Sequence, residues 1–210
     1  FLDLVRGADV LIEGFRPGVM ARLGADWATL RAVNPRLIYC SISGYGAAGP
    51  LAQAAGHDNN YLATAGVMHR NGEGTPAFLD PPVADGTGAL FAALAILGAL
   101  LARGRDGQGC HIDLGLADAP MPLQLFQVAA HGATGHVPQP GETYLNGGAA
   151  YYRTYRCADG GHVTLGAIEP KFWRAFCLAA GRPDWVARQV DPLPQSALTA
   201  EVQEVLGRFT

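Results

Sequence analysis

Hydrophobic and polar positions alternate along the chain in blocks that predict strands and helices in turn. The apolar residues 10–15 are closed by Arg16-Pro17-Gly18, which predicts a strand entering a turn. A helical pattern with one glycine interruption covers residues 19–34, and the β-branched and aromatic residues 36–44 predict a second strand. Strand, helix and strand within about thirty residues indicate a parallel α/β unit.

The pattern continues with helices and a third strand. Helices are predicted over residues 56–67, 85–103 and 118–131, and a strand over residues 110–116. The most apolar run, residues 88–102, is too short to span a bilayer comfortably and contains Gly98, so we interpret it as a core helix. We therefore expect no membrane-embedded segment here.

The pattern changes in the last third of the chain. Residues 131–148 have no periodicity and are dense in glycine and proline, which favours a linker. Two alternating runs flank Asp159-Gly160-Gly161 and predict a hairpin. We predict an α/β protein with a large domain at 1–130, a linker at 131–148 and a smaller α+β domain at 149–210.

Composition narrows the classes of function. Hydrophobic residues make up 49% of the 210 positions and charged residues 16%, as in a globular chain, and a net charge of −3 gives no reason to expect nucleic-acid binding. The four cysteines form no CxxC pair, so we expect reduced thiols. No secretory signal pattern opens the chain, and the Ala- and Arg-rich composition favours a cytoplasmic location.

Three familiar patterns are rejected. Residues 44–49, GYGAAG, match the dinucleotide pattern, but Pro50 follows at once and no carboxylate lies about twenty positions later, so we exclude NAD binding as the main function. The six histidines form no HxxxH or HxH pair, and there is no GxSxG. We expect no metal and no separate cofactor.

Polar residues cluster at the start of the helix predicted over 56–67, in the stretch GHDNNY. His57 is either a general base or a residue packed beside a helix that Asp58 caps. Asp85 opens the apolar helix and is followed by the small residues Gly86, Thr87 and Gly88. It is either an ordinary N-cap or a carboxylate that transfers a proton or attacks a carbonyl.

Three further charged residues are candidates. Glu169 precedes Pro170, and is either a first-turn glutamate that favours the helix dipole or a carboxylate that orients a histidine. Arg16 and Arg22 flank a turn and a helix start, where they either hold phosphates or are solvated.

These stretches, in their order, resemble one known family. ADVLIEGFRPGVMARLG, NPRLIYCSISGYGAAGP, GHDNNYLATAGV, VADGTGALFAALAILGALLARGRDGQGCHIDLGLAD and NGGAAYYRTYRCADGGHVTLGAIEPKFW cover most of residues 8–176. They are similar to the family III CoA-transferase superfamily and, within it, to the α-methylacyl-CoA racemases. The resemblance implies a Rossmann-like large domain, part of which precedes residue 1, a smaller domain and an interlocked homodimer.

The resemblance also implies a chemistry. In the racemases, the histidine of GHDxNY and an aspartate before an apolar helix move protons on opposite faces of the carbon next to a thioester carbonyl, which assigns these roles to His57 and Asp85. A glutamate in GAIEP assists the histidine, which assigns that role to Glu169. Arg16 and Arg22 match positions that meet CoA. The positions that line the acyl-thioester site are Gly56, Asp58, Asn59, Asn60 and Tyr61.

The resemblance leaves three functions to compare. The first is a racemase or epimerase of 2-methylacyl-CoA, in fatty acid metabolism, with CoA as part of the substrate. The second is a CoA-transferase with Asp85 as nucleophile; His57 and GAIEP favour the racemase, because the transferases lack that histidine. The third is a truncated, non-catalytic chain that only binds CoA or pairs with another chain. GGAAYY replaces the usual GGAPFY, and DGTGA replaces a bulkier glycine-rich run. The second difference changes the expected shape of the acyl pocket, so the acyl group is left open.

Overall fold

The chain folds into two compact units. The computed structural model describes residues 1–71 and 75–210. The first unit comprises Phe1–Met68 and Phe78–Thr134, and the second comprises His69–Ala77 and Gly135–Thr210. The boundary at 134/135 therefore lies inside the predicted linker, and the second unit also takes in a short segment from the middle of the chain.

A three-stranded parallel sheet forms the centre of the first unit. Its strands are β1 (Val10–Glu13), β2 (Ile38–Ser43) and β3 (Cys110–Gly115), in the order β1-β2-β3. The three predicted strands and their parallel pairing are thus confirmed, and the unit is α/β. Because parallel strands end at the same edge of the sheet, the loops after β1 and β2 lie side by side.

Helices surround this sheet. They are α1 (Leu2–Arg6), α2 (Val19–Arg22), α3 (Trp27–Val33), α4 (Asp58–Thr64), α5 (Val67–Arg70, which crosses the unit boundary), α6 (Val83–Asp106) and α7 (Leu125–Thr134), the last preceded by a 3₁₀ turn at Met121–Gln124. The single helix predicted over residues 19–34 is wrong. Gly24 has a φ of 66°, and Asp26 starts a new helix by accepting a hydrogen bond from the Thr29 amide at 2.9 Å.

The long helix α6 covers the sheet with one face only. Its small residues allow a close approach, since a Cβ added at Gly88 would lie 2.4 Å from Leu116 Cδ2. The opposite face is exposed and carries Leu90, Leu94, Leu97 and Leu101. The interpretation as a core helix is therefore wrong for that face. By length and composition alone, α6 is also long and apolar enough to cross a membrane.

The second unit is built on a hairpin and two helices. Strands β4 (Tyr152–Arg156) and β5 (His162–Gly166) pair antiparallel, which confirms the predicted hairpin. They are joined by α8 (Pro170–Ala179), α9 (Ser196–Leu206) and 3₁₀ segments at Tyr144–Asn146 and Pro183–Val190. Its core surrounds two fully buried tryptophans, and Trp173 Nε1 donates to the Trp185 carbonyl at 3.0 Å.

Candidate active site

A cavity of about 380 Å³ opens at the carboxyl ends of β1 and β2. Ligands of open α/β sheets bind at this edge. The walls come from the turn after β1, the end of β2, the loop before α4 and the first residues of α4. The lining residues include Phe15, Arg16, Ser43, Gly44, Gly56, His57, Asn60 and Tyr61. Five of the predicted site residues therefore line one cavity.

His57 is the residue that begins α4. Its backbone is extended, its carbonyl accepts from the Asn60 amide at 2.9 Å, and its own N–H donates to Asn60 Oδ1 at 3.0 Å. The expectation that Asp58 caps this helix is wrong, because His57 occupies the N-cap and Asp58 is the first helical residue. The His57 side chain is exposed at the cavity wall, where it can meet a ligand.

Asp58 instead reaches the start of a second helix. Its Oδ1 accepts the main-chain N–H of Asp85 at 2.9 Å. Asp85 is the third residue of α6 rather than its N-cap, which is Pro82, so the N-cap interpretation of Asp85 is wrong. The first N–H groups of a helix have no partner within it, and Pro82 has no side-chain acceptor for them. Asp58 supplies one from α4 and so fixes the two helix starts together.

The charges of His57 and Asp58 act on the carboxyl of Asp85, although Asp58 and Asp85 are not among the residues that line the cavity. Although Asp85 is exposed, the atoms around its carboxyl partly desolvate it and raise its pKa; the negative charge of Asp58 raises it further, and His57 opposes the shift. Asp85 therefore holds its proton to higher pH than an ordinary aspartate. A carboxyl with this property can serve as a proton donor.

Tyr61 supports the loop that carries His57. The side chain is 7% exposed, and its hydroxyl donates to the Gly56 carbonyl at 2.6 Å. A Cβ added at Gly44 or Gly56 would lie 2.7 Å from Tyr61 Cε1, so both positions require glycine. Tyr45 packs edge-on against the same ring at 5.2 Å. Sequence reasoning missed Gly44 and Tyr45, although GYG at the end of a strand was a visible signal.

The remaining predicted site residues lie elsewhere. Arg22 ends α2 and Asn59 is exposed on α4, and neither lines the cavity. Glu169 lies in the second unit, where it is the N-cap of α8 and not a first-turn residue; its side chain makes no capping hydrogen bond. Its part in the site stays a prediction.

The possible metal ligands and the cysteine thiols are the remaining reactive groups. Among the described residues, no three His, Cys, Asp or Glu side chains are grouped so as to hold a metal ion. All four cysteines are free, and two of them, Cys40 and Cys177, are buried. Burial raises the pKa of Cys177 to about 11, so this thiol stays protonated and unreactive at neutral pH.

Comparison with known proteins identifies the family. Residues 1–210 match CoA-transferase family III. The chain belongs to this family. It is 39% identical to human alpha-methylacyl-CoA racemase over 181 residues, which are 85% of this chain and 47% of the relative. It is 42% identical to the acetyl-CoA:oxalate CoA-transferase of Acetobacter aceti over 141 residues, 66% of this chain and 36% of that one.

The fold agrees with family membership. The chain superposes on the crystal structure of a CAIB/BAIF family protein from Brucella suis with a TM-score of 0.81 and 31% identity, covering all of this chain and 57% of the other. The chain spans about half the length of the curated racemases it matches, 47% and 52%. Membership confirms the resemblance. Because racemases and transferases are both among the relatives, the reaction itself is a separate proposal.

Proposed function

We propose that this chain carries the proton-transfer site of a racemase or epimerase acting on 2-methylacyl-CoA thioesters. The observation that supports this most is the 2.9 Å hydrogen bond from the Asp85 amide to Asp58, the residue after His57, which ties the starts of α4 and α6 together. A base that lines the cavity and an acid with a raised pKa are then available at two helix starts that are tied together.

The reaction requires removal and return of one proton. The thioester carbonyl acidifies the neighbouring carbon, and the His57 imidazole takes its proton to leave an enolate. The protonated Asp85 carboxyl then donates to the opposite face, which inverts the centre. For the other enantiomer the roles reverse. The Asp85 amide does not stabilise the enolate oxygen, because it already donates to Asp58.

CoA itself is proposed to be held by arginines. Arg16 lies in the turn after β1 and lines the cavity, which suits binding of the pyrophosphate. Arg22, one short helix further on, is the second candidate. Asn59 is retained as a candidate substrate contact, although it lies outside the cavity lining. CoA is part of the substrate, and no separate cofactor takes part.

A homodimer and an orienting role for Glu169 complete the proposal. The exposed leucines of α6, spaced by four, three and four residues, resemble a helix-packing seam and support pairing with a second copy. The family resemblance supports an orienting role for Glu169 toward the catalytic histidine. We place the reaction in cytoplasmic fatty acid metabolism.

A CoA-transferase is the second candidate. Its support is an exposed Asp85 at a helix start and the 42% identity to an oxalate CoA-transferase. In that reaction the Asp85 carboxylate attacks the thioester carbonyl, forms an acyl-aspartyl anhydride and expels CoA as its thiolate. The thiolate then attacks the aspartyl carbonyl, which releases the first acid and leaves an aspartyl-CoA thioester. The second acid attacks this thioester to form a new anhydride and expels the thiolate, which then attacks the new acyl carbonyl to form the second acyl-CoA and free Asp85. Because this scheme gives His57 no proton to transfer, we rank the CoA-transferase second.

Hydrogen exchange separates the candidates. Each enantiomer of a 2-methylacyl-CoA is incubated with the protein in D₂O together with a second free acid, and the products are followed by mass spectrometry. Deuterium uptake with inversion, lost in His57→Ala and retained in Arg105→Ala, is the expected result, since Arg105 is exposed in the last turn of α6 and lies outside the cavity lining. A new thioester without deuterium would identify the transferase. The absence of both products would leave only CoA binding.

A further inference from the structure

The second unit contains a cavity that the proposed reaction does not use. Its volume is about 600 Å³, within the range of small-molecule sites. It is enclosed by Arg70 and Asn71, by the segment 140–147, and by facing residues of β4 and β5. Two arginines line it, Arg70 and Arg153, and no aspartate or glutamate of the described chain is among its lining residues.

Arg70 brings a positive charge that the described chain does not neutralise. It ends α5, and its Nη2 donates to Thr143 Oγ1 at 3.3 Å. Burial lowers the pKa of the guanidinium, which shows that its surroundings disfavour the charge. Within residues 1–71 and 75–210 it forms no ion pair.

Arg153 is held rigidly in the middle of β4. Its Nη1 donates to the Gly147 carbonyl at 3.0 Å, and its guanidinium lies over the Tyr155 ring at 5.6 Å. The Nε is buried and has no hydrogen-bond partner among the described residues. A guanidinium has five N–H donors in a planar fork. Arg153 is therefore fixed in place with donors still to be satisfied.

The rest of the lining is divided between hydroxyl groups and apolar side chains. Thr154 and Thr164 face each other across the hairpin, with their hydroxyl oxygens 3.4 Å apart. Tyr152 is stacked on Tyr144 at 6.0 Å, and Leu145 and Leu165 also line the cavity. A bare inorganic ion would meet the arginines but leave this apolar surface uncovered.

We propose that this cavity binds a small organic carboxylate. The guanidinium groups of Arg70 and Arg153 receive the carboxylate, since arginine forks pair with carboxylates through parallel hydrogen bonds. Tyr152 and the two leucines cover its apolar body. The site lies wholly within the second unit, and the inference does not depend on the racemase proposal.

Calorimetric titration with 3-phenylpropionate tests the site. The wild-type chain is expected to bind this probe and not 3-phenylpropionamide, which has the same shape without the charge. Arg70→Gln and Arg153→Gln are each expected to weaken binding roughly tenfold, because each loses charge-assisted hydrogen bonds. Arg156→Gln is the matched control, since Arg156 lies on the same strand but outside the lining.

Three results would overturn the proposal. The first is that the wild-type chain does not bind 3-phenylpropionate at millimolar concentration. The second is equal affinity in the control and in both cavity variants, each shown by circular dichroism to be folded. The third is displacement of the probe by inorganic phosphate at equal concentration, which would indicate a site for simple oxyanions. Arg153→Lys separates charge from geometry: partial loss of affinity supports recognition by the planar fork.

Discussion

Replacing Asp58 tests the link between the starts of α4 and α6. In Asp58→Ala, the Asp85 amide loses the oxygen that accepts its hydrogen bond at 2.9 Å. Loss of a helix-capping acceptor costs about 1 kcal/mol. For a chain of this size, such a loss lowers the melting temperature by roughly 2–4 °C. The carboxylate is contributed by a different helix, so the cost falls on the contact between the two helices.

Asp58→Asn separates the hydrogen bond from the charge. Asparagine keeps an oxygen that can accept the Asp85 amide, and it caps helices about as well as aspartate. Its melting temperature is therefore expected to stay close to that of the wild type. The negative charge is gone in both variants, however, and this charge helps to raise the pKa of Asp85. The pKa of Asp85 is expected to fall in both.

The lower pKa of Asp85 in these variants decides the direction in which proton-transfer activity changes. A lower pKa leaves less protonated Asp85 at a given pH, so proton donation by Asp85 declines at lower pH than in the wild type. Thermal unfolding measures the first effect, and deuterium exchange from each enantiomer as a function of pH measures the second. Arg105→Ala, an exposed residue in the last turn of α6 and outside the cavity lining, is the control. The reasoning is refuted if Asn destabilises as much as Ala, or if neither variant moves the pH profile.

Two further predictions follow, one for the first unit and one for the second. Tyr61→Phe removes the hydroxyl that donates to Gly56 and is expected to lower the free energy of unfolding by about 1 kcal/mol in urea titrations. Tyr45→Phe keeps the ring contact with Tyr61 and serves as the control. Equal losses of unfolding free energy in the two variants would contradict the prediction. Glu201 accepts hydrogen bonds from Arg188, which has the largest effect, and from Trp185 and Arg182, and these hold its pKa at about 2, below its ordinary 4.5. The ionised carboxylate therefore stabilises the fold fully above pH 4.5, and this contribution is lost as pH falls towards 2. Glu201→Gln is expected to flatten the melting-temperature curve over that range, and curves parallel to the wild type would contradict this.

Local pattern was enough to predict the main elements and the chemistry-bearing stretch. Strands β2 and β3 and the β4–β5 hairpin follow from short runs of apolar and β-branched residues bounded by glycine turns, which are properties of neighbouring residues. Family membership was equally visible, because the motifs occur in order along the chain. His57 and Asp85 were identified as candidates on the same basis.

Tertiary structure alone decided which groups surround these residues. Asp58 and Asp85 are 27 positions apart, so no local pattern shows that one accepts the amide of the other or raises its pKa. Helix α6 appeared to be a core helix because its composition is apolar all round, yet only its contact with the sheet decides which face is buried. Composition and periodicity describe which residues of a segment are able to be buried. Which partner the segment contacts depends on residues brought together from distant parts of the chain, and that partner decides the exposure and the charge state of the segment's side chains.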